Sequence, residues 1–346
     1  MSNENAIVNY QLFVDEAVQG INNRYEQAEK SLYDLANYVK EKVEEGTSYG
    51  KSKEQVYRDL SSHKDFKLKP HSLKSYDITA GFLEETGRST DLPMSTVQRI
   101  AESKLEDEDK QVILQVAEDK QMTQKQVRSE IKSFQKEKRR EERAELGKTV
   151  DVPAELYNAD FRNIAMEEGS VDLVLTDPPY PEEFLPLWSD LAKTAADVLK
   201  PSGFLACYSG QLHLPEVFQR LSEHLEYYWT FCLYHVGGTQ IVHPRGVMCR
   251  WKPILIFQKP PFKKTDFVPQ DYVVSEKREK DGHEWQQSES AAADLIEIFS
   301  KPGDTVLDPF MGAGTFPYVA DKLDRKAIGI EIDEQSFLIS KSRFND

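Results

Sequence analysis

Along the first 148 or so residues, apolar positions recur at three- and four-residue steps, the spacing of one helix face. Tyr25, Leu32, Leu35, Ala36, Val39 and Val43 form one such stripe and predict a helix that Gly46 and Gly50 bring to an end. Ser52 is placed to cap a short helix carrying Val56, Tyr57 and Leu60. A Lys- and His-rich linker leads to Ser72 and a second helix with Tyr76, Ile78, Phe82 and Leu83. This pair fits either a plain bundle or a helix-turn-helix unit. Leu92-Pro93-Met94-Ser95-Thr96-Val97 opens another helix, and Thr123 caps a long one with Val127, Ile131 and Phe134 inside. Its tail, residues 136–143, mixes charges at helical spacing, as a solvated face usually does, with phosphate contacts by Arg139, Arg140 and Arg143 as the alternative. The pattern stops between Gly147 and Pro153, which sets a helical domain at 1–148 and a second domain at 149–346.

The rhythm then changes to strands alternating with helices. Expected strands are Leu156–Asn158, Val171–Thr176, Gly203–Tyr208, Tyr227–Val236, Ile254–Gln258, Thr305–Leu307 and Lys326–Ile330. Helices are expected at about 184–199, 213–223, 288–300 and 315–323. Such a series predicts an α/β fold with a doubly wound, mostly parallel sheet and an antiparallel edge from the adjacent late strands. Residues 260–282 are polar and read as a mobile loop, dividing the domain into a first half, 152–259, and a second, 283–346.

Composition narrows the class. With 39% hydrophobic and 30% charged residues, a polar acidic start and no apolar run of membrane-spanning length, the 346-residue chain reads as a soluble, cytoplasmic protein. The cysteines, Cys207, Cys232 and Cys249, suggest reduced core thiols, with neither a disulfide framework nor a zinc site. A net charge of −15 argues against indiscriminate coating of nucleic acid. Residues 1–150 hold 25 Lys/Arg and 28 Asp/Glu against 19 and 31 in the remainder, so the acid lies mainly in the second part, and local basic grooves stay open.

Candidate chemistry sits at two strand ends. Val171–Thr176 runs into Asp177-Pro178-Pro179-Tyr180, where two prolines end the ladder at the carboxyl edge, the ligand side of an open α/β sheet. Thr305–Leu307 runs into Asp308-Pro309-Phe310-Met311-Gly312-Ala313-Gly314-Thr315, then a helix, then a strand ending at Glu331. Glycines 312 and 314 allow a tight turn and close approach of a ligand, and an acid at the next strand's end suits ribose hydroxyls. The third glycine of the dinucleotide pattern and a Walker Lys are both missing. Asp308 beside the turn would repel phosphate and suit a cationic ligand such as S-adenosylmethionine.

These motifs, with Asp160 upstream and Gly329-Ile330-Glu331-Ile332-Asp333, resemble the amino-methylating (adenine-N6 or cytosine-N4) DNA methyltransferases. The closer likeness is to the permuted subgroup in which the catalytic tetrapeptide precedes the cofactor glycines, and it covers about residues 152–344. It implies an S-adenosylmethionine-dependent methyltransferase fold, with Asp177, Pro178, Pro179 and Tyr180 as catalytic residues. Asp308, Phe310, Gly312, Gly314 and Thr315 would line the cofactor pocket, Glu331 would hold the ribose, and Asp160 would lie near the adenine. His283 and Gln287 occupy the place of a further cofactor motif, but Gln287 and Ser288 stand where Lys and Pro are usual; a loop histidine fits His283 nearly as well.

In that chemistry Asp177 and the Pro178 carbonyl would accept the hydrogens of an exocyclic amine, and Tyr180 would stack on a base flipped out of double-stranded DNA. Arg245 and Arg250, in or near the glycine-containing segment 237–245, are candidate DNA contacts, or part of a simple hairpin loop. Asp-Pro-Pro-Tyr favours adenine N6 over cytosine N4, and a restriction-modification setting follows from the family. A homodimer and a nuclease partner stay open, as do an RNA or protein-amide substrate and a DNA-binding regulator with a residual cofactor fold. The recognition insert usual in the family is short here, so sequence reading falls to the helical domain or a second subunit.

Overall fold

A computed structural model describes residues 3–27, 32–87, 89–236, 240–266, 268–275 and 288–345. The chain forms two compact units, Met1–Gln135 and Lys136–Asp346. The division falls inside a long helix, α7, whereas the sequence places it where that helix ends.

The first unit is helical: α1 (Asn3–Gln27), α2 (Leu32–Ser48), α3 (Lys53–Ser61), α4 (Pro70–Thr86), α5 (Met94–Ala101), α6 (Asp107–Asp119) and the start of α7 (Gln124–Thr149). The stripe read as one helix from Tyr25 to Val43 belongs to two, since Tyr25 lies in α1 and Leu32 begins α2. Leu35, Val39 and Val43 of α2 meet Phe13, Val18 and Ile21 of α1 and Val56 and Leu60 of α3 in one apolar cluster. A second cluster joins Val97 and Ile100 of α5, Ile113, Leu114 and Ala117 of α6, and Val127 and Ile131 of α7. Ser52 caps α3 as its position implies, accepting from the Gln55 amide at 3.2 Å. The next helix starts at Pro70, not Ser72, because proline is pre-set for the first turn.

The second unit is built on an eight-stranded sheet. Its strands are β1 (Glu155–Asn158), β2 (Val171–Thr176), β3 (Leu199–Tyr208), β4 (Glu226–His235), β7 (Trp251–Gln258), β8 (Tyr272–Ser275), β9 (Thr305–Asp308) and β10 (Lys326–Glu331). The order is β1-β10-β9-β2-β3-β7-β4-β8, while β5 (Gln240–Val242) and β6 (Val247–Cys249) pair in a separate hairpin. Strands β1, β10, β9, β2 and β3 run parallel. β7 is antiparallel to both β3 and β4, which gives the expected antiparallel part.

Helices α8 (Pro186–Val198) and α9 (Leu214–Leu221) bury Trp188, Leu191, Val217 and Leu221 on one face of the sheet. On the other face, α10 (Glu289–Phe299) and α11 (Thr315–Lys322) bury Leu295, Ile296, Phe316 and Val319. The last helix, α12 (Glu334–Arg343), packs near β1 and β10. Gly147 near the end of α7 meets it so closely that a Cβ there would lie 1.8 Å from the Leu338 carbonyl oxygen.

One expectation fails in this unit. The segment 260–282 is not all loop, because Tyr272–Ser275 adds β8 parallel to β4 and buries Val273. Two adjacent valines among polar residues are too short a pattern to announce a strand, and it is the waiting edge of β4 that makes one.

Candidate active site

Chain connections leave β2 toward β3 on one side and β9 toward β10 on the other, so the winding reverses between the neighbours β9 and β2. Such a reversal opens a crevice at the carboxyl ends of the strands. Both sequence motifs start there: Asp177 follows β2, and Asp308 closes β9. The Thr176 hydroxyl donates to Asp308 Oδ1 at 2.6 Å, joining residues 132 apart in the chain inside the protein.

Asp308 is fully buried, and burial pushes its carboxyl up to about 8, against the opposing effect of hydrogen bonds from Thr176 and the Phe310 amide. The nearby carboxylates Asp177 and Glu331 push it further the same way. The position therefore strains to keep its proton unless positive charge arrives.

The turn after Asp308 is set by its glycines. Gly312 has φ +51 and, among the described residues, nothing within 4 Å of where a Cβ would stand. Gly314 has φ +78, and a Cβ there would lie 2.6 Å from that of Ser340, so only glycine fits. Glu331 braces this turn: Oε2 accepts from the Gly312 amide and Oε1 from the Asp333 amide, both at 2.8 Å. Burial raises the Glu331 carboxyl above its usual range, and these two amides oppose the rise.

Asp160 sits after β1, beside the end of β10, where the Ala159 amide donates to the Glu331 carbonyl at 3.0 Å. Arg162 grips its carboxylate with Nη2 at 2.6 Å and Nε at 3.0 Å, which holds the acid below the usual carboxylate range. Phe310 packs on Phe161 with ring centroids 4.9 Å apart, walling the crevice on the α8 side of the sheet. Thr315 is turned elsewhere: it is buried, and its hydroxyl accepts from Arg343 Nη1 at 2.7 Å.

In the tetrapeptide, the Tyr180 hydroxyl donates to Asp177 Oδ1. Burial, then the Asp177 charge and this bond, raise the Tyr180 phenol well above its ordinary value, so it stays protonated. Gly210 lies against the ring, where a Cβ would come within 3.3 Å of Tyr180 Cγ and Cδ2. Lys252 of β7 stands over the ring, with Nζ 5.1 Å from the centroid and 3.4 Å from the phenolic oxygen, to which it donates. The expected open stacking face is therefore occupied in this structure, and the phenol O–H takes one of the Asp177 acceptor positions expected for an amine hydrogen.

Sequence reasoning missed Thr176, Lys252 and Tyr208. Tyr208 ends β3, is 1% exposed and stacks near Phe316 at 5.4 Å; its Oη has no hydrogen-bond partner among the described residues, and burial and the Asp177 charge hold its proton on. Each reads as one more member of a strand, and only Tyr208, an aromatic hydroxyl at a carboxyl strand end, carries a hint.

The candidate DNA contacts lie in and after the β5–β6 hairpin. Arg245 ends the 3-10 turn His243–Arg245 between β5 and β6, Arg250 follows β6, and both are exposed. His283, Gln287 and residues 237–239 lie outside the described residues.

Residues 171–342 match a family model described as a DNA methylase. Among curated relatives, the type II methyltransferase M.HpaI of Haemophilus parainfluenzae is 28% identical over 222 residues, covering 52% of this chain and 70% of that protein. The type II methyltransferase M.BglII of Bacillus subtilis is 26% identical over 246 residues, covering 52% and 66%. Among solved structures, the PvuII DNA methyltransferase (cytosine-N4-specific) aligns with a TM-score of 0.49 and 19% identity, over 57% of this chain and 92% of that one.

Proposed function

Residues 171–342 belong to the DNA methylase family of N6 and N4 amino-methyltransferases, and from that premise we propose that the protein methylates the N6 amine of adenine in double-stranded DNA. The observation that carries the reading is the hydrogen bond from Thr176 to Asp308, which sets an amine-accepting motif and a glycine turn side by side. Four features fit the cofactor S-adenosylmethionine: the turn at Gly312, the buried carboxyl of Asp308, the braced acid Glu331, and the lack of a phosphate-binding Lys in this turn. Bound there, the cofactor supplies a methyl group activated by a sulfonium.

The chain's own residues do the rest. Asp308 offers negative charge to a cationic ligand, and Glu331 keeps lone pairs free of the Gly312 and Asp333 amides to accept from ribose hydroxyls. Asp177 and the Pro178 carbonyl would accept the two hydrogens of the target amine, which would hold the nitrogen and leave its lone pair available for attack. To enter, the amine has to displace the Tyr180 hydroxyl from Asp177. Lys252 is positioned to keep the released phenol by its oxygen, and displacement of the ring from Gly210 offers a face to the flipped base. Arg245 and Arg250, both exposed, are assigned to the DNA backbone. No helix among the described residues is long and apolar enough to cross a membrane, and we assign the protein to the cytoplasm beside its DNA substrate.

Adenine is favoured by the Asp at the head of the tetrapeptide. The test is transfer of labelled methyl groups to duplex DNA followed by digestion to nucleosides. Label in N6-methyladenine is expected; label in N4-methylcytosine alone would overturn the base assignment, and no label in any nucleoside would overturn the DNA reaction.

A further inference from the structure

The first unit carries a second surface with a defined chemistry. Helix α6 ends at Asp119, four residues Lys120–Thr123 turn the chain, and α7 begins at Gln124. The turn is built rather than loose. Gln121 is left-handed at φ 47, the Met122 amide donates back to the Ala117 carbonyl at 2.9 Å, and the Met122 side chain is buried between the helices. Thr123 and Gln126 cap α7 reciprocally: the Thr123 amide donates to Gln126 Oε1 at 2.9 Å, and the Gln126 amide to Thr123 Oγ1 at 3.4 Å. Ile113, Leu114 and Ala117 share one apolar cluster with Val127 and Ile131, and Val97 and Ile100 of α5 close it. This is the connectivity of a helix-turn-helix, at α6–α7 rather than at α3–α4, where eight residues separate the helices.

Burying Val127 and Ile131 fixes what α7 presents. Gln124, Lys125, Arg128, Ser129, Lys132 and Ser133 are all exposed. From Lys125 to Lys132 the helix rises about 10 Å, close to the width of a major groove. Between 120 and 135 there are four basic residues and one acid, Glu130, in a chain of net charge −15. The remaining acids of α6 are arranged around this surface. Asp107, Glu108 and Asp109 lie at its far end, the Glu118 charge acts on the buried-side Tyr33 phenol, and Asp119 is exposed beside the turn, accepting from Gln115 at 2.8 Å.

We propose that α6–turn–α7 is a DNA-reading helix-turn-helix that lays Lys125, Arg128, Ser129 and Lys132 in the major groove of the duplex that the protein methylates. The proposal rests on the DNA methyltransferase reading for its partner, but not for its test. Lysine and arginine supply the phosphate and guanine contacts, while the glutamines and serines on the same face offer donors and acceptors to base edges. It also gives the chain a reading element that a short segment between β7 and α10 does not.

The test uses the full chain and a duplex of about 40 base pairs, measured by fluorescence anisotropy over a salt series. Replacing Lys125, Arg128 and Lys132 together by alanine should weaken binding 10- to 100-fold at low salt and reduce the slope of log K against log salt by about 2–3, since each phosphate contact contributes about 0.9. Alanine is the best helix former, and the circular dichroism melt should be unchanged. The triple glutamine variant should behave like the alanine one, and R128K should keep the slope. Dimethyl sulfate protection of guanine N7 should be lost with the charges. Unchanged affinity and slope in both triple variants, or tighter binding of duplex RNA than DNA, would overturn the proposal. If the wild type binds with this α7-dependent slope yet transfers no methyl group to DNA, the enzymatic reading falls and the surface stands. If the variants methylate DNA with an unchanged KM, the surface falls alone.

Discussion

The role proposed for Asp308 predicts a calculable pH dependence of cofactor binding. Its carboxyl is pushed up to about 8 by burial. At pH 7 it therefore holds its proton in roughly nine molecules of ten. A raised carboxyl stabilises the ligand-free fold in its protonated form. That contribution is complete below about pH 4 and is lost as pH climbs through about 8. A cation about 4 Å away contributes roughly 4 kcal/mol in favour of the charged form at an effective dielectric near 20, which lowers the carboxyl by about 3 units. Binding should then expel close to one proton at pH 7, and affinity should fall about 50-fold from pH 8 to pH 6. Calorimetry of S-adenosylmethionine binding at pH 6, 7 and 8, in buffers of different ionisation enthalpy, reads both quantities. Asp308→Asn should bind more weakly, with the pH dependence gone. Affinity constant within twofold across that range in the wild type, with no proton released, would refute the role given to Asp308.

Asp177→Ala should abolish methyl transfer while calorimetry still detects cofactor binding; an active variant removes Asp177 from the mechanism. Tyr180→Phe frees the Asp177 acceptor from its phenol, so it should tighten binding of a duplex with an abasic gap plus free adenine, while Lys252→Met should lower kcat by less than Asp177→Ala does. Thr176→Val takes the hydroxyl donor from a buried carboxyl, and urea unfolding should show a loss of about 1–3 kcal/mol. Gly147→Ala drives a Cβ into the Leu338 carbonyl, and the thermal midpoint should drop by the equivalent of about 1–3 kcal/mol.

What was legible in the sequence is what short-range pattern encodes. β2 and β9 are apolar runs stopped by Asp-Pro, so their ends, and with them Asp177, Asp308 and the glycine turn, could be placed on the ligand side of a sheet. The pairing that makes one site of them could be inferred only through resemblance, because no local feature of Thr176 shows that its hydroxyl meets residue 308. Lys252 is hidden for the same reason: its partner is 72 residues away, with β3 lying between β7 and β2. Thr315 shows the opposite difficulty, a residue in the right motif whose hydroxyl is turned to Arg343. β8 and the α6–α7 turn depended on neighbours. An edge strand needs its template, and a four-residue turn differs from a linker only once Met122 is seen buried.

The bond between Thr176 and Asp308 also says something about synthesis. A ribosome delivers Asp177 long before residue 308 exists, and β2 cannot gain its β9 neighbour until the chain has been made past residue 308. Until then the Thr176 hydroxyl lacks its buried acceptor, and the crevice has one wall. A chain cut short between the two motifs can display the tetrapeptide and yet has no glycine turn beside it, so both walls of the crevice exist only in molecules extended past β9.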